Sequence, residues 1–133
     1  MYLRLRLLVK LFIAVTLVIG GQYSLVMAEK ILSVDFEVFG IVQGVFFRKW
    51  NMAEFCLFKN TVMKGTELGL KGWCMNTSQG TVRGQMEGPK KEIDQMKHWL
   101  QYTGSPMSRI DKAVFTNEKD IDKYSFTNFS VRH

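Results

Sequence analysis

Cysteine is scarce. The chain of 133 residues has two, Cys56 and Cys74. Two cysteines give neither a disulfide framework nor the spacing of a metal site. A pair of buried free thiols fits, and so does one disulfide in an exported protein, if the two Cα atoms come within bonding range. There is no internal repeat and no low-complexity segment, and the length suits one domain with a single core. No block of one charge dominates. Half of the net charge of +6 comes from Arg4, Arg6 and Lys10, at the start of the chain. The balance left on the remainder suits a small phosphorylated substrate drawn by long-range attraction and does not single out nucleic acid.

The first 28 residues differ in kind from the rest. A basic start leads into an apolar run, Leu11 to Ile19, then Gly20-Gly21 and a small-residue site ending Val26-Met27-Ala28. Three readings fit. The layout is that of a secretory signal peptide. Translation from Met27 would instead leave an intracellular protein with an N-terminal extension. An uncleaved anchor, touching a membrane through residues 11–28, falls just short of the roughly 20 apolar residues that span a bilayer. The folded domain is therefore taken as residues 29–133.

Within it, Val34, Phe36 and Val38 alternate with Asp35 and Glu37, which predicts a strand over Ile31 to Phe39. Gly40 to Gly44 predicts a tight loop. A helix follows from about Phe47, with Phe47, Asn51, Phe55, Phe58 and Val62 along one stripe. Leu70 to Asn76 and Thr81 to Glu87 predict a hairpin around the turn Thr77 to Gly80. Pro89 opens a second helix at its first position, Ile93, Met96 and Leu100 share its buried face, and Gly104 with Pro106 ends it. Two more strands follow, Ile110 to Thr116 and Tyr124 to Val131, separated by the polar stretch Asn117 to Asp120. Two helices cannot cover both faces of a five-stranded sheet. The expectation is a ferredoxin-like α+β sandwich, βαββαβ with a final strand and both helices on one face.

The chemistry concentrates in Gly40-Ile41-Val42-Gln43-Gly44-Val45-Phe46-Phe47-Arg48. Glycines at both ends of a short loop that opens a helix let consecutive backbone N–H groups converge on an anion, helped by the helix dipole. Arg48 in the first helical turn can add paired, charge-assisted hydrogen bonds to a phosphate. The same residues also fit an ordinary turn beside a solvated arginine. Elsewhere, Thr81 to Glu87 lacks the interleaved aromatics of a base-stacking RNA platform, so no nucleic-acid partner is expected.

Val38 to Arg48 resembles the acylphosphatase signature, Gly-x-Val-Gln-Gly-Val-x-Phe-Arg. The second signature of that family is matched by Gly72-Trp-Cys-Met-Asn76 and Gly80-Thr-Val-Arg-Gly84. The resemblance continues through Glu87-Gly-Pro89, Trp99-Leu100, Gly104-Ser-Pro106 and Ile110-Asp-Lys-Ala113. It implies a hydrolase of small acyl phosphates that uses no metal or cofactor; oligomeric state leaves no clear mark in the sequence, and a monomer is the expectation. It assigns Arg48 to the substrate phosphate, the N–H groups from about Ile41 to Phe47 to the cradle, Asn76 to the attacking water and Thr77 to a supporting or turn-capping role. Neither His98 nor His133 falls in these motifs, and the proton is assigned to the substrate's own phosphate oxygen.

Two features qualify that assignment. Asn76-Thr77-Ser78 and Asn128-Phe129-Ser130 are both Asn-x-Ser patterns, and a glycan on Asn76 would abolish the water contact. Residues 55–64, Phe55 to Lys64, form a ten-residue insertion relative to the family. Ten helical residues make about 2.8 turns and rotate whatever follows by about 80°. The insertion must then be a helix that ends and returns near Lys64-Gly65, or a bulge from the domain. A binding module with impaired catalysis is the alternative to an active enzyme.

Overall fold

The computed structural model describes residues 14–19, 22–27, 30–42, 57–106 and 108–133. Strands β1 (Ala14–Ile19) and β2 (Gln22–Met27) form an antiparallel two-stranded sheet, with Ala14 opposite Met27 and Ile19 opposite Gln22. Among the described residues no helix is long and apolar enough to cross a membrane.

The rest is β3 (Ile31–Ile41), α1 (Leu57–Glu67), β4 (Lys71–Asn76), β5 (Val82–Pro89), α2 (Lys90–Tyr102), β6 (Arg109–Ile121) and β7 (Phe129–Val131). The five strands lie in the order β6-β3-β5-β4-β7. Neighbours are antiparallel except β4 and β7, so the final strand joins the sheet in parallel. Period-2 alternation sends Leu32, Val34, Phe36 and Val38 of β3, and Val82 and Met86 of β5, into one buried face. There they meet Leu57 of α1 and Ile93, Met96 and Leu100 of α2. This is the expected ferredoxin-like α+β arrangement.

Four boundaries differ from the sequence reading, each for a local reason. β3 runs on through Gly40 and Ile41, which pair with Ile110 and Arg109. Gly40 has φ 137°, and a Cβ there would lie 2.0 Å from the Arg109 carbonyl oxygen, so only glycine allows the strands this close. The polar stretch Asn117 to Asp120 does not end a strand. It belongs to β6, which absorbs an irregularity opposite Ser33 and Asp35. Asn117 takes φ 53°, a left-handed conformation asparagine tolerates, and donates from Nδ2 to Asp35 Oδ2 at 2.8 Å. The last strand shrinks to Phe129–Val131, because the chain between β6 and β7 must cross from one sheet edge to the other. Ser125 N–H donates to the buried Glu87 Oε1 at 2.8 Å and pins that crossing. Pro89 is the last residue of β5 and the cap of α2 rather than its first turn.

The helix expected from Phe47 and the start of the insertion lie outside the described residues. The remainder of the insertion is not a bulge. Leu57 to Lys64 form most of α1, and Leu57, Thr61 and Gly65 bury one stripe on the sheet, with Phe58 and Val62 at its flank. Leu70 N–H returns to the Gly65 carbonyl at 2.8 Å and Gly69 has φ 72°, so the helix ends in a tight left-handed turn that leads directly into β4. At the other end, Leu57 N–H donates to the Val42 carbonyl at 3.4 Å.

Two outcomes follow from this packing. A Cβ on Gly65 would come 2.6 Å from the Phe129 ring. Gly65→Ala is therefore expected to destabilise by about 1–3 kcal/mol, read from urea unfolding, although alanine is the better helix former. Cys74 is a free thiol that donates to the Phe58 carbonyl at 3.1 Å. Burial pushes it up from 9.0 to about 12. Above the lower value the unfolded chain releases a proton that the folded chain keeps, so stability falls as pH rises through that window. Urea midpoints compared at about pH 8 and about pH 10 should drop more for the wild type than for Cys74→Ala, which has no thiol to ionise in either state.

Candidate active site

β5 is antiparallel to both β3 and β4, so β3 and β4 point the same way. Their C-terminal ends share one edge of the sheet. Val38, Val82 and Asn76 stand in a row across three strands, since Val82 pairs with Val38 on one side and with Asn76 on the other. Two strand spacings put Asn76 about 10 Å from Val38. Asn76 has the same parity as Gly72 and Cys74, which are buried, and so faces the helix-covered side.

α1 reaches the same corner. Its Gly65 meets Phe129, the partner of Gly72 at the start of β4, while its Phe58 carbonyl meets Cys74 farther along. The helix thus runs antiparallel to β4 and brings its N-terminal end, with its partial positive charge, toward Asn76. Val42 ends the described part of the glycine loop here. It is 1% exposed, and its carbonyl is held by Leu57 N–H.

Asn76 Oδ1 is buried and has no hydrogen-bond partner among the described residues. An unmatched buried acceptor costs about 1–3 kcal/mol, so such a group is tolerated where a small polar molecule can bond to it. On the opposite face the turn after Asn76 is tied down. Thr81 Oγ1 donates to Glu37 Oε2 at 2.6 Å, and Thr77 Oγ1 lies 2.6 Å from Thr81 Oγ1. Because Thr81 gives its proton to the carboxylate, Thr77 supplies the proton in the second contact. The Thr77 oxygen also accepts Thr81 N–H at 3.1 Å, and Thr77 N–H donates to the Thr81 carbonyl at 2.9 Å. Thr77, Thr81 and Glu37 thereby fix the direction in which β4 delivers Asn76.

Of the residues singled out from sequence, Asn76 and Thr77 stand at this corner. Gly40 and Ile41 lie in the β3–β6 ladder that leads to it, and Val42 lies at its floor. Gln43, Gly44, Val45, Phe46, Phe47 and Arg48 are outside the described residues. Sequence reasoning missed Thr81 and Glu37. Thr81 stood in the second motif without a role, and Glu37 read as the exposed phase of a strand; no local signal joins residues 44 apart in the chain.

The family model for acylphosphatase matches residues 34–131. The chain is 50% identical to acylphosphatase-2 of Rattus norvegicus over 107 residues, which is 80% of this chain and 100% of the rat protein. It is 48% identical to acylphosphatase-1 of Homo sapiens over 101 residues, covering 76% of this chain and 92% of the human protein. Among solved structures, an acylphosphatase from Bacillus subtilis aligns with TM-score 0.60 at 26% identity, over 77% of this chain and 99% of the other. One from Coxiella burnetii aligns with TM-score 0.58 at 29% identity, over 77% and 94%. With its two motif strands, β3 and β4, running the same way on either side of β5 and its sequence matched from β3 to β7, the chain belongs to the acylphosphatase family.

Proposed function

We propose that this chain is an acylphosphatase that hydrolyses the carboxyl-phosphate bond of small acyl phosphates by in-line attack of water. The observation that carries the water's place is the buried, unmatched Oδ1 of Asn76 at the corner where β3, β4 and α1 converge. An amide oxygen accepts one proton of a water and leaves the water's lone pair free to face phosphorus. Arg48 and the backbone N–H groups from Ile41 to Phe47 hold the phosphate in this reading, supported by the motif they share with the family and by the position of Ile41 at the end of β3, on the same edge of the sheet as Asn76.

Carboxylate is a good leaving group. The barrier is then met mainly by alignment and by donors that stabilise charge on the transferring phosphoryl oxygens. The water oxygen forms a bond to phosphorus as the bond from phosphorus to the acyl oxygen breaks. One water proton passes to a phosphate oxygen, and the products are a carboxylate and inorganic phosphate. Asn76 needs no ionisation for this role; it needs direction, which the Thr77, Thr81 and Glu37 contacts supply.

Purified protein is expected to hydrolyse acetyl phosphate in the presence of a chelator at the rate seen without it. Asn76→Ala should lower kcat by about 10² to 10³ with little change in KM, as for loss of a single positioned hydrogen-bonding group. Arg48→Ala should raise KM and lower kcat together. Inorganic phosphate should raise the melting temperature of the wild type and of Asn76→Ala but not that of Arg48→Ala. Phosphate protection in a folded wild type that turns over no acyl phosphate would assign the chain to a binding module instead.

A further inference from the structure

The helices cover one face of the sheet, and the register sets short rows of side chains across the other. Gln85 stands between Asp35 and Trp73, and Glu37 stands between Val114 and Arg83. These residues line one depression of about 340 Å³, near the lower end of the range for small-molecule sites. Three of its acceptor groups are each oriented by a contact that uses one atom only. Asn117 Nδ2 donates to Asp35 Oδ2 at 2.8 Å, Thr81 Oγ1 donates to Glu37 Oε2 at 2.6 Å, and Gln85 Nε2 donates to Ser33 Oγ at 3.0 Å. Asp35 Oδ1, Glu37 Oε1 and Gln85 Oε1 are left without a partner among the described residues. Arg83 is exposed and stands directly opposite Glu37, yet neither enters an ion pair among the described residues. Cross-strand partners sit about 5 Å apart at Cβ, so a cation and a carboxylate that stay open to each other there leave room for a ligand between them. Trp73 forms the wall toward β4, backed from the β7 side by Arg132 at 4.1 Å from the ring centroid. Val114, 39% exposed, forms the apolar wall toward β6.

The chemistry that complements this set is narrow. An ammonium carries three donors and no acceptor, which matches three free acceptor oxygens, and a carboxylate matches the guanidinium fork of Arg83. We infer that the open face holds a second site, on the opposite side of the sheet from the Asn76 corner, that binds a free α-amino acid with an apolar side chain. Its ammonium sits among Asp35, Glu37 and Gln85, its carboxylate meets Arg83, and its side chain lies between Val114 and Trp73. The two ligand charges are carried by one carbon, and the groups that receive them are immediate neighbours: Glu37 is opposite Arg83, and Gln85 is two residues along β5 from it. A simple anion would meet two carboxylates beside one guanidinium. A simple amine would leave Arg83 unpaired. The inference does not depend on the proposed hydrolase activity.

The test titrates L-leucine into the purified full chain, followed by isothermal titration calorimetry and by two-dimensional amide NMR. One saturable site is expected, with larger shifts at Glu37, Arg83, Gln85 and Val114 than at Ile93 and Met96 of the covered face. N-acetyl-leucine, which lacks the ammonium, and isopentylamine, which lacks the carboxylate, should each bind about tenfold more weakly or worse, as loss of one charged hydrogen-bonded contact implies. Arg83→Met and Asp35→Asn should each weaken leucine binding by about tenfold or more while the circular dichroism spectrum stays that of the wild type. No saturable binding to the folded wild type overturns the site. Equal affinity for leucine and isopentylamine overturns the zwitterion. Leucine binding kept by both variants, or shifts centred on the covered face, overturns the location.

Discussion

β5 lies between β3 and β4 and runs against both, and that single pairing pattern places the ends of the two motif strands at one edge of the sheet. Val42, just past the end of β3, and Asn76, which ends β4, are 34 positions apart, yet the two strand ends lie at the same edge of the sheet. The register is as important as the direction. A slip of one residue between β4 and β5 would turn Asn76 to the opposite face, away from α1. Two glycines hold that register by allowing close approach: a Cβ on Gly84 would lie 2.1 Å from the Trp73 carbonyl oxygen, and one on Gly72 would lie 2.0 Å from that of Gln85.

α1 depends on the same constraint. Its C-terminal end is tied to β4 by the short turn at Leu68-Gly69 and its buried stripe is set by Gly65 against Phe129, so the helix is placed from β4 backward. Chain added before it cannot rotate that stripe. The stripe of the described helix is thus set from β4, whatever precedes Leu57. At the start of that helix, Leu57 N–H donates to the Val42 carbonyl.

The two faces of the sheet divide the work between them. The helix-covered face is apolar up to the corner where Asn76 presents its oxygen. The other face carries polar ties, among them Thr77 to Thr81 to Glu37 and Asn117 to Asp35, and Arg132 lies over Trp73 at 4.1 Å from the ring centroid. Ties of this kind add modest net stability each, but they restrict direction, which an uncharged water-holding group requires.

Alternation in β3 and β5, the glycine and threonine turn after Asn76 and the stripe of α2 were legible because each depends on residues a few positions apart. The fold class follows from such local patterns, while the family and the candidacy of Asn76 follow from the resemblance of two spaced motifs to the acylphosphatase signatures. Elements whose state is set by distant partners were not legible. The stretch Asn117 to Asp120 reads as a loop by composition and is strand because β3 offers it a partner. Glu37 reads as a solvated charge and is a hydrogen-bond acceptor because Thr81 arrives across the sheet. Local patterns were enough to name the residues able to do chemistry. That Asn128 faces solvent while Asn76 ends its strand half-buried with its amide oxygen enclosed was set by packing, because burial is a property of what surrounds a residue and not of its neighbours in the chain.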